Sequence, residues 1–264
     1  MDKLILGRYV PGNSLIHRLD PRSKLLAMIA YVIIVFWANN VVTNAIMIGF
    51  TLVIILLSQL KLSFFLKGIQ PMIGIILFTT LFQMFFTHGG ETYFQLGFLK
   101  ITSYGLSLAI LIFICFVLFF CFSSLLFLTT TPLSLADAVE SLLKPFARLK
   151  VPAYEIGLML SLSLRFVPTL MDDTTRIMNA QRARGVDFGE GNLLQKVKSI
   201  IPILIPLFAS SFKRADALAL AMEARGYQGG EGRSKYRILQ WQSRDTMALM
   251  VLFALGIALF LFSN

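Results

Sequence analysis

Two short runs in this chain are arranged to present a single cation. Residues 180–185 read Ala180-Gln181-Arg182-Ala183-Arg184-Gly185, and residues 221–226 read Ala221-Met222-Glu223-Ala224-Arg225-Gly226. The pattern Ala-x-x-Ala-Arg-Gly therefore occurs twice, with its arginines 41 residues apart. One copy alone is an ordinary helix end, because glycine after the cap stops helices routinely and an arginine in the last turn complements the helix dipole. Two copies, each closing a helix that begins apolar, point further. The small alanines leave Arg184 and Arg225 unobstructed, and Gly185 and Gly226 turn the chain away just beyond them. A guanidinium at the tip of a rigid rod suits an acidic or carbonyl-lined pocket through forked hydrogen bonds. Two such tips suit a partner with two equivalent pockets, as a dimer has.

Other chemistry finds little support. No Gly-x-x-x-x-Gly-Lys-Ser/Thr run is present to cradle a nucleotide. The two histidines, His17 and His88, fall on opposite sides of the membrane arrangement derived below and cannot share a metal, so no metal site and no cofactor is expected. Cys115 and Cys121 lie six apart on different faces of one apolar helix and read as packing residues. A membrane enzyme acting on lipid or isoprenoid substrates is the alternative function. It needs paired acidic clusters for metal-bound phosphate, and Asp172-Asp173 is the only adjacent acidic pair. A secondary transporter is disfavoured too, because no acidic pair lies inside a span.

The elements that must position the two tips follow from where charge is absent. Of 264 residues, 56% are hydrophobic and only 14% charged, against about 25% charged in average soluble domains. A soluble globule has no interior large enough for that apolar surface, and disorder requires the opposite composition. Two cysteines exclude a disulfide scaffold. Stretches 25–60, 68–90, 101–136 and 246–264 hold no Asp, Glu, Lys or Arg. A spanning helix takes about 20 apolar residues, which predicts spans near 24–38, 41–59, 69–87, 101–128 and 246–262. The first two are separated by Asn39-Asn40, and the fourth is one long helix stopped by Thr129-Thr130-Thr131-Pro132. Asp20 and Pro21 read as the N-cap and first residue of the first helix, with Arg22 and Lys24 anchoring it at the headgroups. Residues 1–24 lack an apolar run of signal-peptide type.

Orientation follows from the basic residues, of which 23 of 24 fall in 1–24, 60–68 and 132–245. By the positive-inside rule these segments are cytoplasmic, the C-terminus lies outside, and the net charge of +10 marks membrane orientation and anionic-lipid contact instead of nucleic-acid binding. The expected fold is all-α and polytopic, with a transmembrane domain of 1–131 plus 246–264 and a coupling domain of 132–245. The latter carries an amphipathic helix over 133–148, with Leu135, Val139, Leu142, Leu143 and Phe146 on one face. Two long helices follow, apolar at first (158–171 and 199–212) and charged towards the arginine tips. Arg165 and Pro168 in one, and Pro202 and Pro206 in the other, argue against simple spanning.

At this point the sequence resembles a family. The paired Ala-Arg-Gly ends resemble those of the transmembrane T component of energy-coupling factor transporters, the EcfT and CbiQ group. So do Leu19-Asp20-Pro21-Arg22-Ser23-Lys24 before the first span and Ser163-Leu164-Arg165-Phe166-Val167-Pro168 in the first long helix. The resemblance implies a non-enzymatic subunit that joins two cytosolic ABC-type ATPases to a membrane-embedded S component binding a vitamin or metal ion. It implies that Ala183-Arg184-Gly185 and Ala224-Arg225-Gly226 dock the ATPases. Asp20, Pro21, Arg22, Arg165 and Pro168 then stand as structural or coupling residues. A reporter inserted at residue 190 or 230 is expected to be shielded from an impermeant reagent in intact cells, whereas one at residue 264 is expected to react from outside.

Overall fold

The chain folds where long apolar runs meet polar caps. The computed structural model describes residues 9–87, 89–96, 99–145, 152–186, 188, 192–229 and 238–262. They fall into two compact units, Met1–Ala138 with Ile238–Asn264, and Val139–Arg237.

In the first unit, α1 (Pro21–Val35), α2 (Val41–Ser58), α3 (Leu62–Ile69), α4 (Ile73–Phe86), α5 (Ser103–Thr129) and α9 (Ser243–Phe262) form an apolar bundle. α1 packs on α5 and α9, α2 on α5, and α4 along α5. The core gathers Tyr31, Ile34, Val35, Met47, Leu118, Phe122, Leu252 and Leu259. Tyr31 is fully buried, its ring stacked on Phe122 at 4.1 Å between centroids and its hydroxyl bonded to Thr51 Oγ1 at 2.7 Å. A hydroxyl within a membrane helix needs such a partner because lipid supplies none. Large apolar side chains cover the outside of the bundle, including the exposed row Phe78, Phe82 and Phe86 on α4.

The all-α polytopic fold agrees with the sequence, with three corrections. The third span begins before the expected 69–87: α3 already spans most of the supposed 60–68 loop, and a 3-10 turn at Gln70–Met72 joins it to α4. Lys61 and Lys67 suggested a loop, but Phe65 and Ile69 are buried four residues apart while Lys67 stays exposed. Pro71 lacks a donor N–H and its ring crowds the preceding turn, so the helix tightens there. The 88–100 loop holds an antiparallel hairpin, β1 (Thr92–Leu96) and β2 (Leu99–Thr102), pairing Gln95 with Lys100 and Leu96 with Leu99. The Thr102 hydroxyl accepts from Gly105 N and donates to Thr87 O, joining the end of α4 to the start of α5. Finally, α1 has the length of the expected 24–38 but starts at Pro21, and its 15 residues, about 22 Å, fall short of a hydrocarbon core of about 30 Å. Among the described residues, four segments are long and apolar enough to span: Val41–Ser58, Leu62–Phe86, Ser103–Thr129 and Ser243–Phe262.

Buried polar contacts close the bundle around the start of α1. Asp20 caps α1 by accepting from Arg22 N at 2.8 Å, with Pro21 as the first helical residue, as the sequence predicts. Asp245, in the first turn of α9 and 1% exposed, accepts from Asp20 N (2.7 Å), Ser23 Oγ (2.8 Å) and Gln242 N (2.8 Å). Lys24 is not the expected headgroup anchor. Its ammonium is buried and donates to Thr129 O and Thr130 Oγ1, satisfying the orphan end of α5.

In the second unit, α7 (Ala153–Ala183) and α8 (Leu193–Ala224) pack on one another. α6 (Pro132–Leu143) leads the chain into this unit and is shorter than the expected 133–148; Phe146 lies outside the described residues.

Asp245→Ala removes the shared acceptor of three donors. Unmet hydrogen bonds to a buried carboxylate cost about 2–3 kcal/mol in total even after partial rehydration, so a clear drop in melting temperature in detergent is expected, with Asp245→Asn falling between it and the parent.

Candidate functional site

The two arginine tips are built alike. α7 ends at Ala183 and α8 at Ala224, so Arg184 and Arg225 are the two cap residues. Gly185 takes φ of +86° and Gly226 of +71°, in the left-handed region that a Cβ disfavours. Gly185 N donates to Arg182 O (3.0 Å) and Val186 N to Gln181 O (3.0 Å). At the other tip, Gly226 N donates to Glu223 O (2.9 Å) and Tyr227 N to Met222 O (3.0 Å). Each helix thus closes with the same paired bonds of a Schellman motif, which satisfies carbonyls otherwise left without partners. Ala183, Arg184, Gly185, Ala224, Arg225 and Gly226 are all exposed. Among the described residues neither guanidinium meets a carboxylate.

The helices that carry the tips run in opposite senses. Arg214 of α8 pairs with Asp173 of α7 at 2.7 Å, and Gln181 Nε2 donates to Pro202 O at 3.5 Å, so moving forward along α7 means moving back along α8. Arg184 and Arg225 are therefore not brought together. Eleven residues separate Asp173 from Arg184, and eleven separate Arg214 from Arg225. Each tip stands about 16 Å of helix beyond the ion pair, on opposite sides of it. α7 is continuous through Pro168 and α8 through Pro202 and Pro206. Arg165 and Pro168 are exposed on α7. The guanidinium of Arg214 lies 5.9 Å from the centroid of Phe166.

The remaining candidates are structural. Arg22 returns to Asp20 through Nε and Nη2, both 3.1 Å, and donates to Leu239 O at 3.0 Å, with its guanidinium 5.8 Å from the Trp241 ring. His17 clips the segment before α1: Nε2 bonds Val10 O at 3.0 Å, so Nδ1 accepts from the Ser14 hydroxyl at 2.6 Å. Burial pushes its imidazole below the usual histidine range, outweighing the bond to Val10. His88 lies outside the described residues, as do the glycines at 189, 191, 230 and 232 that follow the tips. Cys115 and Cys121 are free and half-buried. No cluster of three or more His, Cys, Asp or Glu side chains forms a metal site among the described residues.

Sequence reasoning missed Asp245 and the Asp173–Arg214 pair. Asp245 carries a signal, being an acid at the threshold of an apolar run, where a helix N-terminus favours it. The ion pair carries one as well: Asp172-Asp173 and Lys213-Arg214 occupy corresponding places ahead of the two tips, with opposite charge.

Residues 12–236 match the family model CbiQ, described as a cobalt transport protein. The chain is similar to the energy-coupling factor transporter transmembrane protein EcfT of Streptococcus equi subsp. equi, at 77% identity over 260 residues, covering 98% of this chain and 97% of that protein. It is 69% identical over 260 residues to the protein of the same description from Streptococcus thermophilus, covering 98% of each chain. The counterpart from Bacillus subtilis is 52% identical over 260 residues, again covering 98% of each.

Replacing Gly185 or Gly226 by Val places a β-branched side chain in the left-handed region, at a cost of about 1–2 kcal/mol. The last turn of the affected helix is expected to open more readily, seen as roughly tenfold faster amide exchange over 180–186 or 221–227 alone. Unchanged exchange there would show that the glycine does not set the tip.

Proposed function

The chain belongs to the CbiQ family, which includes the transmembrane components of energy-coupling factor transporters, and we propose that it couples two cytosolic ABC-type ATPase subunits to a membrane-embedded S component. Its own role is mechanical, with ATP hydrolysis on the partner subunits. Arg184 and Arg225, flanked by Ala183, Gly185, Ala224 and Gly226, each enter a pocket on one ATPase. The cargo is a vitamin or metal ion held by the S component, so this chain needs no cargo site. The second unit and the segment before α1 face the cytoplasm, and the C-terminus lies outside.

The observation that carries this reading is the equivalence of the tips. Both are exposed arginine caps closed by the same two hydrogen bonds and a left-handed glycine, and both stand the same length of helix beyond the Asp173–Arg214 pair. A guanidinium donates in a fixed fork, so it suits carboxylate or carbonyl acceptors at the mouth of a pocket. A helix is stiff along its axis, and a displacement imposed on its tip is passed to the packed helix beside it.

Changing both Arg184 and Arg225 to Glu reverses the charge at each tip. The expected result is at least a tenfold fall in ATPase co-purified per T component, with loss of uptake, while the chain remains in the membrane. ATPases retained at the parent level would overturn the docking reading.

A further inference from the structure

α7 and α8 each bring one charged pair to the place where they meet: Asp172-Asp173 on α7 and Lys213-Arg214 on α8. The members that touch, Asp173 and Arg214, are 41 residues apart, the same separation as Arg184 and Arg225. In an antiparallel helix pair, this is the pairing that gives the two tips equal arms. The contact is partly buried, with side-chain exposures of 21% for Asp173 and 30% for Arg214.

No neighbouring pairing replaces it. A slide of one helical turn brings Asp173 opposite Ser210, Ser211, Ala217 or Leu218 of α8, and Arg214 opposite Thr169, Leu170, Arg176 or Ile177 of α7. Either slide strands both charges, and one of them sets Arg214 near a second arginine. Nor is the pair arranged for stability alone. Arg214 reaches the carboxylate through Nη2 only, and its Nη1 is buried with no hydrogen-bond partner among the described residues. An ion pair with one donor unmet is a weak source of net stability, and its best-attested use is to specify register.

We propose that the Asp173–Arg214 pair is a register lock for α7 and α8, holding them at one alignment and so fixing the separation of the two arginine tips, so that both ATPases drive transport together. Both residues are positioning residues; neither touches cargo or nucleotide. The proposal rests on the docking role of the tips and goes beyond it, because it predicts loss of coupling in complexes that still hold their ATPases.

The test uses the assembled transporter in proteoliposomes, with uptake and ATP hydrolysis measured per complex. Asp173→Asn and Arg214→Gln are each expected to lower uptake per ATP hydrolysed at least fivefold while the ATPases remain bound. The exchanged double variant, Asp173→Arg with Arg214→Asp, is expected to recover to within twofold of the parent. Single variants that keep the parent ratio overturn the proposal, even where less complex assembles, because that outcome assigns the pair to stability alone. An exchanged variant that does no better than the singles, or does not assemble, overturns it too. The docking reading fails on a different measurement, retention of the ATPases by the Arg184→Glu/Arg225→Glu variant.

Discussion

A polar group that enters an apolar bundle must bring its own partner, and that constraint decides how the membrane part of this chain is closed. Lipid offers no donor or acceptor, so each polar group left unmet there costs several kcal/mol. Asp245 answers the constraint for three donors at once, at the place where the start of α1 meets the start of α9. Lys24 does the same for the end of α5, and Tyr31 for the middle of the bundle through Thr51. The Asp245 and Lys24 contacts join helices far apart in sequence, and Tyr31 joins the consecutive α1 and α2. A bundle whose outer surface is as apolar as its interior has little hydrophobic preference for one packing over another. These few directional bonds then select among packings that apolar contacts alone would leave close in energy.

The second unit meets a related problem in a different way. α7 and α8 each carry an apolar stretch, much of it exposed, and end charged, so their ends must be ordered by local geometry. The Schellman closures supply that order at the tips, where the same bonds recur. Between the tips, one ion pair joins equivalent positions of two helices that run in opposite senses. Equal arms and identical ends fit a partner that offers two equivalent surfaces. Two rods of unequal length would present their arginines unequally to such a partner. The charges that meet are of opposite sign on α7 and α8, so α7 matches α8 better than it matches a second copy of itself.

Much of this was legible in the residues. Asp20-Pro21 announced a cap and a first turn because few residues serve both roles, and the structure places both as expected. The repeated Ala-x-x-Ala-Arg-Gly run announced two helix ends because glycine relieves the strain of a left-handed residue. The third span was misplaced at its start, since Lys67 read as a loop residue although a helix disposes of one cation by turning it outward. Lys24 was read as a headgroup anchor for a similar reason: a lysine beside an apolar run looks alike whether it faces the headgroups or the open carbonyls of another helix. The hairpin at 92–102 escaped because short strands between spans leave little periodic trace.

The sequence by itself determined the class of the molecule, the sites of its helices and the identity of its two tips. These follow from composition, local spacing and capping, which act within a few residues of chain. The tertiary structure alone decided which partners the buried charges take. It assigned Asp245 to Asp20 and Ser23, Lys24 to the end of α5, and Asp173 to Arg214. Such pairings span 41 to more than 200 residues, and a lone carboxylate or ammonium in a sequence carries no mark of the donor or acceptor that packing will bring to it.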